Sequence, residues 1–277
     1  MKKSFLIIGG DDRLKYLNLF FKTKNINSEH IFIEKSEKKE LALNKIKSAD
    51  ILVLPIPLSK DKITLFAPNF NTAVTLKEIT DRISNNSTVF GGGILPDLKG
   101  EIAYYNLLDD EVMTLKNAMA TAEGALSVAI SNHGKTIFGS NILVIGFGRI
   151  AAFLCNYLKA LNGNVTVCAR KAEARAKAKI LGFDACDFLN YENELKNSDI
   201  IINTVPFKII NKKELLLLKK NVLILDLASS PGGIDFEAAR ELNINTVHAL
   251  SLPGKFSPYS AAQYIEEAII NNLKGEL

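Results

Sequence analysis

The sequence predicts an α/β protein of two Rossmann-like domains with parallel sheets, joined by interdomain helices, its C-terminal helix crossing back to the first domain. Three observations carry this. Short apolar runs that read as buried strands alternate with amphipathic helical stretches through both halves, the pattern of parallel sheets covered on both faces. The halves open alike, with Leu6-Ile-Ile-Gly-Gly-Asp-Asp-Arg13 and Leu143-Val-Ile-Gly-Phe-Gly-Arg149. And 277 residues suffice for two separate cores. The expected boundaries are 1–118 with 258–277 for the first domain and 119–257 for the second.

In the first half, Phe5 to Ile8 reads as a strand, followed by Gly9-Gly10-Asp11-Asp12-Arg13 and a helix through Phe21. His30 to Glu34 is a second strand, and Leu41, Leu43 and Ile46 mark a second helix. Asp50 to Pro55 is a third strand, Val74 to Ile83 a helix, and Thr88 to Phe90 a strand running into Gly91-Gly92-Gly93. Gly9-Gly10, Pro55-Pro57 and Gly91-Gly93 all fall at carboxyl ends of strands, where parallel sheets bind their ligands. A helical stretch from about Asp110 to Asn132 connects the halves and contains Thr121-Ala-Glu-Gly-Ala125.

The second set of strands is expected at 142–146, 164–168, 199–203, 222–226 and 245–248, with Ser257 to Leu273 as the closing helix. Its first turn is Gly146-Phe147-Gly148-Arg149-Ile150-Ala151, a Gly-x-Gly-x-x-Ala between strand and helix. That context makes a dinucleotide loop: Gly146 for the tight turn, Gly148 for close approach of a pyrophosphate, Ala151 for tight helix packing. The helix N-terminus adds free N–H groups and a positive dipole end.

After the strand ending at Cys168, an NAD enzyme would place an acidic residue for the ribose hydroxyls. This chain has Ala169-Arg170-Lys171 instead, two cations suited to a 2′-phosphate, so NADP is the expected cofactor. Thr204-Val205-Pro206 ends the next strand, where backbone contacts to the nicotinamide ribose fall. Asp226 to Gly233 and Leu252-Pro253-Gly254-Lys255 are further turn-rich loops at strand ends.

Candidate catalysts are fewer. A buried Glu123 would have its pKa raised toward that of a general base, whereas a solvated helical Glu is the commoner case. Arg13 and Lys255 are candidates to anchor a substrate carboxylate, and equally suit a surface. His30, His133 and His248 are poorly placed for acid/base work, and nothing has metal-ligand spacing.

Bulk properties exclude other classes. The net charge of +4 is spread over 34 basic and 30 acidic residues, with no basic block for nucleic acid. The Met-Lys-Lys start has an apolar core of only four residues before Asp11 and Asp12, too short for a signal peptide. No apolar run reaches transmembrane length. Cys155, Cys168 and Cys186 read as reduced residues of a cytoplasmic protein.

Taken together, Gly9-Gly10-Asp11-x-Arg13, Thr121-Ala-Glu-Gly-Ala125, Val144-Ile-Gly-Phe-Gly-Arg149, the Asp226-Leu-Ala-Ser-Ser-Pro-Gly-Gly-x-Asp-Phe236 run and Leu252-Pro-Gly-Lys255 with Ser257-Pro258 resemble the dipicolinate synthase A subunits of endospore-forming bacteria. The Gly-Phe-Gly-Arg loop is common among dehydrogenases; the Thr121–Ala125 and Ala228–Phe236 runs are more specific. Ala151 departs from a third glycine, and Tyr259-Ser260-Ala261 matches loosely. The resemblance implies NADP-dependent oxidation of a dihydro- or hydroxytetrahydrodipicolinate to pyridine-2,6-dicarboxylate, at a branch of the diaminopimelate/lysine pathway. It further implies a dicarboxylate substrate held by cations such as Arg13 and Lys255 from opposite domains. A flavoprotein-like partner (the B subunit) and the cytoplasm of the sporulating mother cell are implied with it. A homo-oligomer is compatible with the resemblance. The alternatives are a 2-hydroxy-acid-type dehydrogenase of the same build, and a non-catalytic dinucleotide-binding subunit.

Overall fold

The computed structural model describes residues 3–98, 100 and 102–273; residues 1–2 and 274–277 of the expected first domain lie outside the described residues. The chain divides into two compact units, Met1–Asn117 with Ser257–Leu277, and Ala118–Phe256.

The first unit holds a five-stranded sheet in the order β2-β1-β3-β4-β5, all pairs parallel. Its strands are β1 (Phe5–Ile8), β2 (Ser28–Ile31), β3 (Ile51–Val53), β4 (Thr88–Gly91) and β5 (Ala103–Asn106). Helices α1 (Asp12–Thr23), α2 (Lys39–Lys45) and α3 (Leu76–Thr80) connect them. The last helix of the chain, α11 (Pro258–Asn272), lies on α1 and buries Ile265, Ala268 and Ile269 against Phe5, Leu14 and Leu17. The chain thus returns to its first sheet, because that sheet has an apolar face that α1 alone does not cover.

The second unit holds a six-stranded parallel sheet, β11-β10-β9-β6-β7-β8. Its strands are β6 (Asn141–Ile145), β7 (Asn164–Cys168), β8 (Asp184–Cys186), β9 (Ile200–Asn203), β10 (Leu223–Asp226) and β11 (Asn245–His248). Between them run α5 (Arg149–Ala160), α6 (Ala172–Ile180), α7 (Glu192–Asn197), α8 (Lys212–Leu215) and α9 (Phe236–Glu241). Helix α4 (Glu111–His133) contributes Ala122, Ala125 and Ala129 to this unit's core, and α10 (Leu252–Phe256) contributes Leu252. Both faces of the sheet are packed, which is why its central strands β6, β9 and β10 read as apolar runs.

Several expectations need correction. The second strand is Ser28–Ile31, not His30 to Glu34. The Glu37 carboxylate captures the amides of Phe32, Ile33 and Glu34 at 2.7–2.8 Å, so these cannot join the sheet ladder. The third helix is only Leu76–Thr80, started by a Thr75–Glu78 capping box. Strands β5 and β8 were not expected. Both are edge strands, and the short, polar Ala103–Asn106 and Asp184–Cys186 lack the apolar run of a buried strand. Leu252–Phe256 is a helical turn where a loop was expected.

Candidate cofactor pocket and active site

At the end of β6 the chain turns at Gly146 with φ +94°, a conformation that disfavours a side chain. A Cβ there would also strike Thr204 Oγ1 and lie 2.9 Å from Val205 Cγ2. Gly148 is different: a Cβ on it would meet no protein atom within 4 Å. Nothing inside the protein requires a glycine at 148, so the space is there for something outside it. Gly148 is also the N-cap of α5 and makes no side-chain hydrogen bond there, and the positive end of such a helix suits an anion.

These glycines line a cavity of about 700 Å³. It lies where the strand order reverses, with β6 between β7 and β9, the place where such sheets bind ligands. Phe147 forms part of its wall and packs edge-on against Phe183, centroids 6.1 Å apart. Arg170 and Lys171 line the β7 side and are exposed. Arg175 donates from Nη1 to the carbonyls of Ala169 at 2.9 Å and Arg170 at 2.7 Å, so it braces that loop. Val205 and Pro206 line the far side. Among the described residues, no carboxylate lines the cavity.

Not every residue expected at the cofactor reaches the cavity. Thr204 donates from Oγ1 to the Ile145 carbonyl at 2.8 Å, tying β9 to β6 rather than lining the pocket. Arg149 and Ile150 begin α5 outside the lining. Conversely, Phe188 and Lys208 line the cavity without a motif to mark them. Phe188 follows the unexpected edge strand β8, and Lys208 is ion-paired with Asp235 at 2.9 Å.

Behind the pocket lies a buried polar knot. Asp226 is fully buried at the end of β10. Its Oδ1 accepts from Asn203 Nδ2 at 2.8 Å and the Ala228 amide at 3.1 Å; its Oδ2 accepts from the Gly233 amide at 2.7 Å. Asn203 in turn donates to the Val205 carbonyl and accepts from the Val205 amide. The Gly233 carbonyl accepts from Ile209, another pocket-lining residue. The Ala228–Phe236 run is therefore bound to the pocket wall. Gly233 has no room for a Cβ, which would meet Asn203 Nδ2 and two carbonyl oxygens. Asn203 and Asp226 were missed as a pair; the signal was a polar residue ending each of two otherwise apolar strands.

The substrate-side residues fare unevenly. Glu123 is exposed on α4, so the burial expected of a general base is absent. Lys255 is exposed on α10. The two lie on adjoining helices, since a Cβ on Gly124 would come 2.9 Å from Leu252 Cβ and 3.2 Å from the Phe256 ring. Arg13 is buried: Nε and Nη2 donate to Asp11 at 2.8 and 2.9 Å, and Nη2 also to the Ile56 carbonyl. Its charge is matched within its own unit, which removes the free cation a substrate carboxylate would need. The histidines are engaged as well. His30 Nε2 donates to the Gly9 carbonyl at 2.7 Å, and His248 Nε2 to the Ala228 carbonyl at 2.9 Å while stacking on Phe236. His133 is buried beside Ser140. No cluster of metal-ligating side chains occurs among the described residues, and no helix there is long and apolar enough to cross a membrane.

Residues 4–109 match the family model of the N-terminal domain of the dipicolinate synthase A subunit. Residues 112–233 match that of the D-isomer specific 2-hydroxyacid dehydrogenase NAD binding domain. The dipicolinate synthase A subunit of Bacillus subtilis (strain 168) is 30% identical over 236 residues, spanning 82% of this chain and 78% of that protein. The chain belongs to the family of dipicolinate synthase A subunits. The crystal structure of the dipicolinate synthase A chain from Bacillus subtilis superposes with a TM-score of 0.82 at 25% identity, covering 99% of this chain and 96% of that one. That of the A subunit from Bacillus halodurans gives 0.84 at 23%, covering 99% and 98%, and shares the fold. This family member therefore carries a nicotinamide-dinucleotide-binding domain of the dehydrogenase type, and the 700 Å³ cavity lies in it.

Proposed function

We propose that the protein is the A subunit of a dipicolinate synthase, oxidising a cyclic dihydro- or hydroxytetrahydrodipicolinate to pyridine-2,6-dicarboxylate with NADP. The observation that carries this is a family match across both units, joined to a cofactor cavity with Arg170 and Lys171 and no carboxylate on its described lining. A 2′-phosphate is a dianion that Arg binds through paired hydrogen bonds, whereas an NAD ribose calls for an acceptor. When bound, the nicotinamide supplies a hydride acceptor. The chain's own residues bind and orient: the open backbone at Gly148 and the N-terminus of α5 take the pyrophosphate, and Val205 and Pro206 close the far side.

On the substrate side, the proposed residues are Glu123, to take the proton released as the ring aromatises, and Lys255, to anchor a carboxylate. Their adjoining helices support placing them together. Arg13, already neutralised by Asp11, supports the architecture of its own unit. The Bacillus subtilis relative is by name one of at least two kinds of subunit, which supports a separate B subunit for this chain too. The 2-hydroxy-acid reading is disfavoured by the histidines, because His30 and His248 already spend Nε2 on backbone carbonyls and His133 is buried.

Purified protein incubated with the dihydrodipicolinate precursor and NADP tests the proposal. NADPH absorbance together with pyridine dicarboxylate is the expected result. Turnover of simple 2-hydroxy acids instead would replace it with the hydroxy-acid reading. Cofactor binding with no turnover, even with the B subunit present, would make the chain a non-catalytic subunit.

A further inference from the structure

Cys168 and Cys186 are the last residues of β7 and β8 and pair directly in register across the two parallel strands. Neighbouring strands lie about 4.8 Å apart, inside the Cα separation that a disulfide spans. Paired residues of parallel strands point to the same face, and both cysteines belong to the same side of the sheet, with Tyr191 and Phe188. Both thiols are free. Cys168 is buried and Cys186 half-buried, so a partly exposed cysteine is backed by a shielded one. The neighbouring Cys168 thiol holds the Cys186 pKa below its ordinary value, against burial and the nearby Glu194 and Asp187 carboxylates. Cys155 is the internal contrast: it lies on the opposite face of the sheet, and burial pushes its thiol up to about 12.

The strand ends matter because they run straight into the pocket wall. Cys168 leads into Ala169-Arg170-Lys171 and Cys186 into Asp187-Phe188, and all of these but Asp187 line the cofactor cavity. We infer that Cys168 and Cys186 form an oxidisable dithiol that closes to a disulfide with a peroxide and weakens cofactor binding. The Cys186 thiolate attacks one peroxide oxygen, the O–O bond breaks and hydroxide leaves, giving a sulfenic acid. The Cys168 sulfur then attacks the Cys186 sulfur, the S–O bond breaks, and water leaves with the Cys168 proton. The thiols are oxidised and hydrogen peroxide is reduced to water. The new bond locks the β7 and β8 ends together and so restrains Arg170, Lys171 and Phe188, which follow them, from adjusting to a bound cofactor. The effect on the pocket rests on the NADP reading; the oxidation does not.

The test treats the full-length protein with hydrogen peroxide, alkylates remaining thiols under denaturing conditions, and maps the peptides by mass spectrometry. The expected result is a linked Cys168–Cys186 peptide pair, restored to free thiols by dithiothreitol, with Cys155 still alkylated. Cys168→Ser should instead leave Cys186 trapped as its dimedone adduct. NADPH fluorescence titration should show several-fold weaker binding by the oxidised protein than by the reduced one. Unreacted thiols, sulfinic acid on Cys186 with Cys168 still free, or a disulfide that leaves NADPH affinity unchanged would each overturn the inference. Reduced protein that fails to bind NADPH refutes the cofactor reading, and the peptide map still decides the dithiol.

Discussion

Asp226 shows how one buried carboxylate organises a site without lining its cavity. Its oxygens satisfy Asn203, Ala228 and Gly233 together, so removing it strands three buried donors. Asp226→Ala should cost on the order of 3 kcal/mol or more, read as a lower urea midpoint, and should weaken cofactor binding through the Val205 segment. At the rim, Arg170 and Lys171 carry the proposed choice of NADP. Arg170→Ala with Lys171→Ala should weaken NADP roughly tenfold or more while barely changing NAD; equal losses in titrations with the two would remove the 2′-phosphate assignment. His30 gives a pH signature. Burial pushes its pKa below the ordinary value, so on acidification the unfolded chain takes the proton first. Stability from this group is complete above pH about 6.5 and is lost as pH falls from there toward the lower folded pKa. His133, also pushed down by burial, acts with the same sign. His30→Gln should flatten the slope of urea midpoint against pH between neutral and mildly acid conditions.

The strand–turn–helix at Asn141–Ala160 separates two uses of glycine. Gly146 is needed by the fold, through its positive φ and its contacts with Thr204 and Val205; Gly148 is not. Gly146→Ala should therefore cost about 2 kcal/mol or more. Gly148→Ala should leave the melting temperature almost unchanged yet raise the NADPH Kd; a lower melting temperature with normal binding would make Gly148 structural. Helix α4 tells a related story. Of the Thr121-Ala-Glu-Gly-Ala125 run, Ala122 and Ala125 are small because they are buried, and Gly124 because α10 packs on it. Glu123 is the exposed member, so the motif is largely packing with one residue left for chemistry. At β2, the apolar run within His30 to Glu34 suggested a strand, but a side chain three to five residues away took the amides. Competition of that kind is invisible to periodicity, which counts apolar residues and not hydrogen-bond partners.

At the scale of the whole chain, the first unit is assembled from its two sequence ends. Helix α11 supplies Ile265, Ala268 and Ile269, and its C-cap Leu273, to a core otherwise built from residues before 118. A chain stopped after Ser257 should leave the Phe5, Leu14 and Leu17 face bare. Limited proteolysis should then digest residues before 118 rapidly while a fragment near 118–256 persists, and equal resistance in both units would refute that dependence. The two parallel-sheet units and the glycine turn at 146–148 were legible in the residues alone, whereas the return of the last helix was expected by analogy with two-domain dehydrogenases. The units and the turn are written in local apolar runs and in glycines whose backbone demands are local. The surroundings of the polar residues were set only in three dimensions. Folding buried Arg13 against Asp11, exposed Glu123, joined Asn203 to Asp226, and brought Cys168 beside Cys186. The reason is physical: a charged or polar side chain takes its role from the partner it meets, and those partners lie from 2 to 23 residues away across turns and sheet edges that no local pattern records.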